Sequence, residues 1–210
     1  MSSTKVYKTP RKRSGIGSYG AYYVLDSKKK IGLKVIGEYE SSKYWEHKIS
    51  SELLGYYQGG MSFGNGGYAG EPAHELAALF MLRSLYYVPN GYGLVWVKQD
   101  NKYAIGILME HINGECIGGD SHKWHLLKGE DEDEANDVVD YFRSEVESEM
   151  EDTGIIPDDW HPWNVMVTAR GKKYRIDFTP QFYSVTDNVK KKYNKAVDNA
   201  VLELIGSFPG

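Results

Sequence analysis

The sequence predicts an α/β fold, more closely α+β, with a β-rich N-terminal part and a helical C-terminal part. Three observations predict it. Apolar runs of strand type recur at residues 21–37 and again at 92–110, which makes the N-lobe β-rich. Apolar residues recur at helical spacing near residues 138–150 and again near 189–204, which makes the C-lobe helical. The chain has 210 residues, which fits one domain or two lobes sharing a cleft. We divide it as N-lobe 1–110, hinge 111–114 and C-lobe 115–210.

The first stretch, Lys5 to Arg13, is a basic arm, read either as a solvated edge strand or tail or as a patch for a partner. SGIGSYG follows, with Gly15, Gly17 and Gly20 spaced G-x-G-x-x-G. A dinucleotide-binding version would open a helix. Here the glycines are followed by a β-rich run, AYYVLDS, a turn, DSKKK, and a second strand, KIGLKVIG. Glycines in a hairpin let backbone N–H groups approach phosphates, because no side chain stands in the way. Lys34 lies inside the second strand between Leu33 and Val35, so it points to the face opposite theirs. Residues 37–54 are polar with scattered aromatics and part helical. Residues 55–70 are dense in glycine and read as a long loop, either a lid or an insertion.

Glu71-Pro72 opens a helix, with proline in its first turn. Leu76, Leu79, Phe80 and Arg83 fall on helical spacing, and the segment ends before Pro89. YGLVWVKQD and KYAIGILME form a hairpin turning at Asp100-Asn101. The second of these strands is continuously apolar and therefore buried. It runs into Met109-Glu110-His111-Ile112-Asn113-Gly114.

The C-lobe begins with a loop that ends in an acidic run, placed at a helix start where carboxylates are favoured. Val138, Val139, Phe142, Val146 and Met150 mark the apolar face of that helix, and Gly154 stops it. Thr186 or Asp187 caps a last helix with Val189, Tyr193, Ala196, Val197, Ala200, Val201 and Leu204 on one face, ending at Gly206.

Composition narrows the function. The net charge is −4, whereas a nucleic-acid partner calls for clustered positive charge. The single Cys116 cannot form an intrachain disulfide; it fits a cytoplasmic protein and reads as structural. His122, His125 and His161 do not make a zinc spacing with it. The first residues carry no apolar signal stretch and no apolar run reaches membrane-spanning length, so no membrane role is expected.

The chemistry lies in residues 155–180, IIPDDWHPWNVMVTARGKKYRIDFTP. Asp159 stands five residues before Asn164, and Asn164 stands thirteen before Asp177. VMVT, a turn at Ala169-Arg170-Gly171 and KYRIDF read as a hairpin whose folding sets Asn164 beside Asp177. Two oxygen-bearing side chains so placed suit Mg²⁺, which keeps few protein ligands and completes its shell with water and phosphate. Asp159, one loop turn away, is placed to accept a proton from an incoming hydroxyl. One such aspartate alone would read as an ordinary turn residue. The three together do not.

D-W-H-P-W-N followed by I-D-F resembles the catalytic loop and metal-binding turn of the protein-kinase-like superfamily. The His-Pro pair is most similar to aminoglycoside phosphotransferases, and I-D-F-T-P-Q is similar to the RIO kinases. The resemblance covers roughly residues 13–180. It implies a two-lobed protein-kinase-like fold, with Asp159 as catalytic base and Asn164 and Asp177 as metal ligands. It also implies that Gly15, Gly17 and Gly20 form the nucleotide-covering loop and that Lys34 binds the α- and β-phosphates. Glu75, with Glu71 as runner-up, would pair with Lys34, and the backbone of Glu110 and Ile112 in the hinge would bond adenine. The sequence departs from protein kinases at Pro157-Asp158, at His161 and at Thr179, which stands where the Asp-Phe-Gly turn has its glycine. No Ala-Pro-Glu segment follows, and only 30 residues remain after Pro180, so the C-lobe is reduced.

The implied activity is an atypical Ser/Thr protein kinase that uses ATP and Mg²⁺. The His-Pro pair favours a small-molecule acceptor instead, but such enzymes build their acceptor pocket from a large helical C-lobe. A third reading is a pseudokinase that only binds a partner. It is opposed by the presence of Lys34, Asp159, Asn164 and Asp177 together.

Overall fold

The computed structural model describes residues 6–9, 15–17, 20–49, 70–119, 130–157, 160–178, 180–181 and 186–209. The chain is mixed α+β. Its elements are β1 (Tyr7–Lys8), β2 (Gly15–Gly17), β3 (Gly20–Asp26), β4 (Ile31–Ser41), α1 (Ser42–Lys48), α2 (Gly70–Met81), β5 (Gly91–Gln99) and β6 (Lys102–Glu110). There follow β7 (Gly114–Cys116), α3 (Glu130–Thr153), β8 (Ile156–Pro157), a 3₁₀ turn (Pro162–Asn164), β9 (Val165–Thr168), β10 (Lys173–Arg175), β11 (Pro180–Gln181) and α4 (Asp187–Gly206).

A six-stranded sheet runs in the order β1-β5-β6-β4-β3-β2. All its pairings are antiparallel except β1 with β5. The expected alternation decides its two faces. Ile36, Trp96, Ile105, Ile107 and Met109 point into the main core, while Tyr23, Leu33, Val35, Val97 and Ala104 form a smaller cluster on the other side. β6 lies between β4 and β5, so Ala104, Ile105 and Ile107 are all buried, as its continuous apolar run requires. Gly106 is forced by packing: a Cβ there would lie 2.7 Å from Leu33 Cδ1 and 2.8 Å from Val97 Cγ2.

β4 continues past the expected strand as far as Ser41, whose hydroxyl accepts the Tyr44 N–H at 3.2 Å and caps α1. α2 ends at Met81, so Arg83 is not part of it and is exposed. The chain instead turns through Leu85 and Val88, each donating its N–H to the carbonyl three residues back. Ala73, Leu76, Ala77, Ala78 and Leu79 are buried, with α2 in contact with the sheet and with α4. In α3 the buried stripe is Ala135, Val139, Phe142, Val146 and Met150, and Gly154 ends the helix with φ +75°.

Thr186 caps α4, accepting the Val189 N–H at 3.4 Å. The division at residue 115 groups this helix with the C-lobe, but its contacts are with α2 and β5 of the N-terminal half. Trp96 on β5 donates its indole N–H to the Leu204 carbonyl at 2.8 Å and meets Phe208 edge-on at 4.8 Å. The Tyr193 hydroxyl donates to the His74 carbonyl at 3.1 Å and lies 2.9 Å from His74 Nδ1. An apolar stripe tells that a helix is covered, not by what. The core is continuous, running from Ile36 and α2 through Tyr87, Phe142, Val146, Val165 and Phe178 to α4. No described helix is long and apolar enough to cross a membrane.

Candidate functional site

Three residues far apart in the chain meet at one ammonium group. Lys34 lies on β4 opposite Ile107 of β6, on the sheet face that α2 covers. Its Nζ donates to both carboxylate oxygens of Glu75 on α2, at 2.9 and 2.8 Å, and to Asp177 Oδ1 at 2.8 Å. Glu75 is 4 % exposed, so its charge is sustained by the lysine. Glu75, the first candidate, meets the lysine; the Glu71 side chain lies outside those described.

Asp177 owes its position to a backbone feature. β10 ends at Arg175 rather than running through Phe178 as expected, because Asp177 has φ +62°. A non-glycine residue in that region costs about 1–2 kcal/mol, and aspartate is among the side chains that tolerate it best. The departure turns the carboxylate out of the strand direction toward Lys34. Asn164 ends the 3₁₀ turn that Pro162 starts and His161 caps, and it is buried. Its carbonyl accepts the Ile176 N–H at 2.8 Å, one step beyond the last pair of the hairpin, Arg175 with Val165. The hairpin thus sets Asn164 next to the turn that carries Asp177, as its sequence implies. Asp159 and Thr179 lie outside the described residues; Trp160 and His161, which follow Asp159, are described.

Burial alone would push the Lys34 ammonium down, but Glu75 and Asp177 outweigh that and hold it up at about 12. Burial would likewise push Asp177 up; Lys34 beside it, with Arg175 and His161, holds the carboxyl below its usual range. Burial pushes the Glu75 carboxyl up, with Lys34 opposing and Asp177 adding to it. Removing the ammonium therefore leaves two carboxyls that protonate more readily. A carboxyl with a raised folded pKa carries stability that is present below its unfolded pKa and lost as pH rises through the folded one. Lys34→Met is expected to unfold at a lower temperature than wild type, by a margin that grows from about pH 5 to about pH 8. An equal margin at the two pH values, read by thermal unfolding, would mean that the ion triad does not form in solution.

The glycines take the expected form. Gly15 and Gly17 on β2 and Gly20 on β3 lie in one hairpin, with Gly17 opposite Gly20, and the tip residues 18–19 lie outside the described residues. At the hinge, the Glu110 N–H donates to the Asn90 carbonyl at 2.7 Å, and the Ile112 carbonyl accepts the Gly114 N–H at 3.1 Å. The Tyr22 hydroxyl and His111 Nδ1 form a 3.1 Å hydrogen bond that ties β3 to the segment just after β6. Beyond the hinge the chain enters β7, which sequence reasoning missed. β7 pairs with β9, and Gly114 is needed there because a Cβ would meet the Val167 carbonyl oxygen at 2.6 Å. A cavity of about 420 Å³ lies between the hinge and the β9–β10 turn, lined by Lys30, His111, Asn113, Arg170 and Lys172 among others; Lys34 and Asp177 are not part of it.

Sequence reasoning also missed Arg175, which is fully buried beside Asn164. Its place on a strand next to Asp177 was the only signal. Burial pushes the Cys116 thiol up to about 11, which agrees with its structural reading. Among the described residues no group of three or more His, Cys, Asp or Glu side chains could hold a metal ion by itself. No protein-family model matches the chain, and no curated protein matches it.

Proposed function

We propose that this chain is an ATP- and Mg²⁺-dependent phosphotransferase of the two-lobed protein-kinase-like type, moving the γ-phosphoryl group to a hydroxyl of a protein. One observation carries the reading: the contact of Lys34 with Glu75, 41 residues away, and with Asp177, 143 residues away. A strand lysine held by a helix glutamate and facing a metal-turn aspartate is the arrangement phosphoryl transfer needs for charge neutralisation.

The donor set fits Mg²⁺. Asp177 is a carboxylate held ionised, and Asn164, at the end of the adjoining 3₁₀ turn, would supply an amide oxygen. When bound, the ion would neutralise charge on the β- and γ-phosphate oxygens. The chain's own groups do the rest. Lys34, kept in place by Glu75, holds the α- and β-phosphates. Backbone N–H groups of the glycine hairpin cover the phosphates. The backbone of Glu110 and Ile112, which line the cavity at the hinge, reads the base. Asp159 takes the proton of the acceptor hydroxyl as its oxygen bonds to phosphorus and the bond to the ADP oxygen breaks.

A protein acceptor is favoured by the course of the last helix. α4 lies against α2 and β5, so it does not extend the region around residues 155–180 into a small-molecule pocket. Saturating ATP·Mg²⁺ is expected to raise the thermal midpoint, since a ligand at about 100 times its Kd stabilises the native state by about 2.7 kcal/mol. γ-Labelled ATP with a cell lysate should then label protein. No shift and no binding heat would refute the nucleotide site, and label appearing only on small molecules would replace the protein acceptor.

A further inference from the structure

We propose that Arg175 is the positioning residue of the candidate metal site, a buried cation that fixes both ligand-bearing segments at once. The proposal rests on the phosphotransferase reading and adds a residue to it. Arg175 is 0 % exposed, yet it carries a permanent charge. Its guanidinium donates from Nη1 to the Asn164 carbonyl at 3.2 Å and to the Ile176 carbonyl. Its Cζ lies 5.2 Å from the Trp160 ring centre and 5.5 Å from that of Phe178. Each contact adjoins a chemical group: Trp160 follows Asp159, Asn164 is one metal ligand, and Ile176 and Phe178 flank the other.

A hydrophobic side chain of similar size would pack in such a core at no desolvation cost, so stability alone does not call for a cation here. What the guanidinium supplies is geometry. Its Nη1 bonds two carbonyls on different segments while its Cζ lies over two aromatic rings. Its backbone contributes as well, donating N–H to the Tyr87 carbonyl at 2.9 Å and pinning β10 to the segment after α2.

The test is a Mg²⁺ titration at fixed ATP, followed by thermal midpoint, on wild type, Arg175→Lys and Arg175→Met. Residues that orient metal ligands typically change metal affinity about 10–100-fold. Half-saturating Mg²⁺ should rise by about that factor, more for methionine than for lysine, while ATP binding in EDTA stays as in wild type. A lowered ligand-free midpoint with unchanged Mg²⁺ demand would overturn the proposal and leave Arg175 a core residue only. If neither variant folds, Phe178→Leu removes one stacking face and keeps the charge; it should raise Mg²⁺ demand several-fold, and an unchanged demand would equally overturn the proposal. A wild type that ignores ATP·Mg²⁺ would refute the underlying activity. A responsive wild type with unaltered variants would refute this inference alone.

Discussion

Asp159→Asn is expected to leave the fold and ATP affinity nearly intact and to lower phosphate transfer by about 10²–10⁴-fold, the usual contribution of a general base. The amide keeps the side chain's size and one acceptor oxygen. It loses the charge, so it neither takes the hydroxyl proton nor orients it as strongly. In the proposed reaction Asp159 is assigned to the acceptor side, whereas Glu75 and Asp177, which both contact Lys34, are assigned with it to the nucleotide side. Single-turnover transfer from γ-labelled ATP reads the effect directly. If the fold serves only to bind a partner, the same change leaves the biological effect untouched, and substitutions in the basic arm at 5–13 or the glycine-rich residues 55–70 matter more. A wild-type rate of transfer in folded Asp159→Asn protein would remove Asp159 from the mechanism.

Trp96→Ala is expected to be the most destabilising single change among the described residues. Trp96 is 1 % exposed, meets Trp45 edge-on at 5.1 Å and Phe208 at 4.8 Å, and bonds the Leu204 carbonyl near the end of α4. Burying so large a side chain and then deleting it costs about 3–5 kcal/mol through lost transfer energy and the cavity left behind. At about 2–4 °C per kcal/mol for a chain of this size, the thermal midpoint should fall by about 6–20 °C. A loss under about 1 kcal/mol, the effect of a mild substitution, would mean that α4 does not dock on β5 in solution. The consequence reaches the site, because α4 also holds α2 through Tyr193 and His74, and His74 precedes Glu75.

The strands, hairpins and helix faces were legible because each is a local pattern. Period-two alternation placed Lys34 on the face opposite Leu33 and Val35, and the structure has it there. The hairpin read from VMV, a turn and KYRIDF set Asn164 beside Asp177, and its pairing holds as far as Arg175 because register follows from turn length. The early end of β10 was not legible, since a positive φ at Asp177 leaves no trace in an apolar pattern. Neither was β7, a strand of three residues whose one strand partner among the described residues is β9. Nor was the burial of Arg175, whose Cζ lies over the rings of Trp160 and Phe178.

By itself the sequence determined the α+β class, the faces of its strands and helices, and a set of residues whose types suit phosphoryl transfer. Only the tertiary structure decided that Lys34 selects Glu75, that Asp177 joins them, and that the last helix lies on α2 and β5. The reason is range. Hydrogen-bonded turns and apolar periods are fixed by neighbours in the chain. An ion pair spanning 143 residues and the partner of an apolar helix face are fixed by which surfaces bury together, and many pairings share the same local pattern.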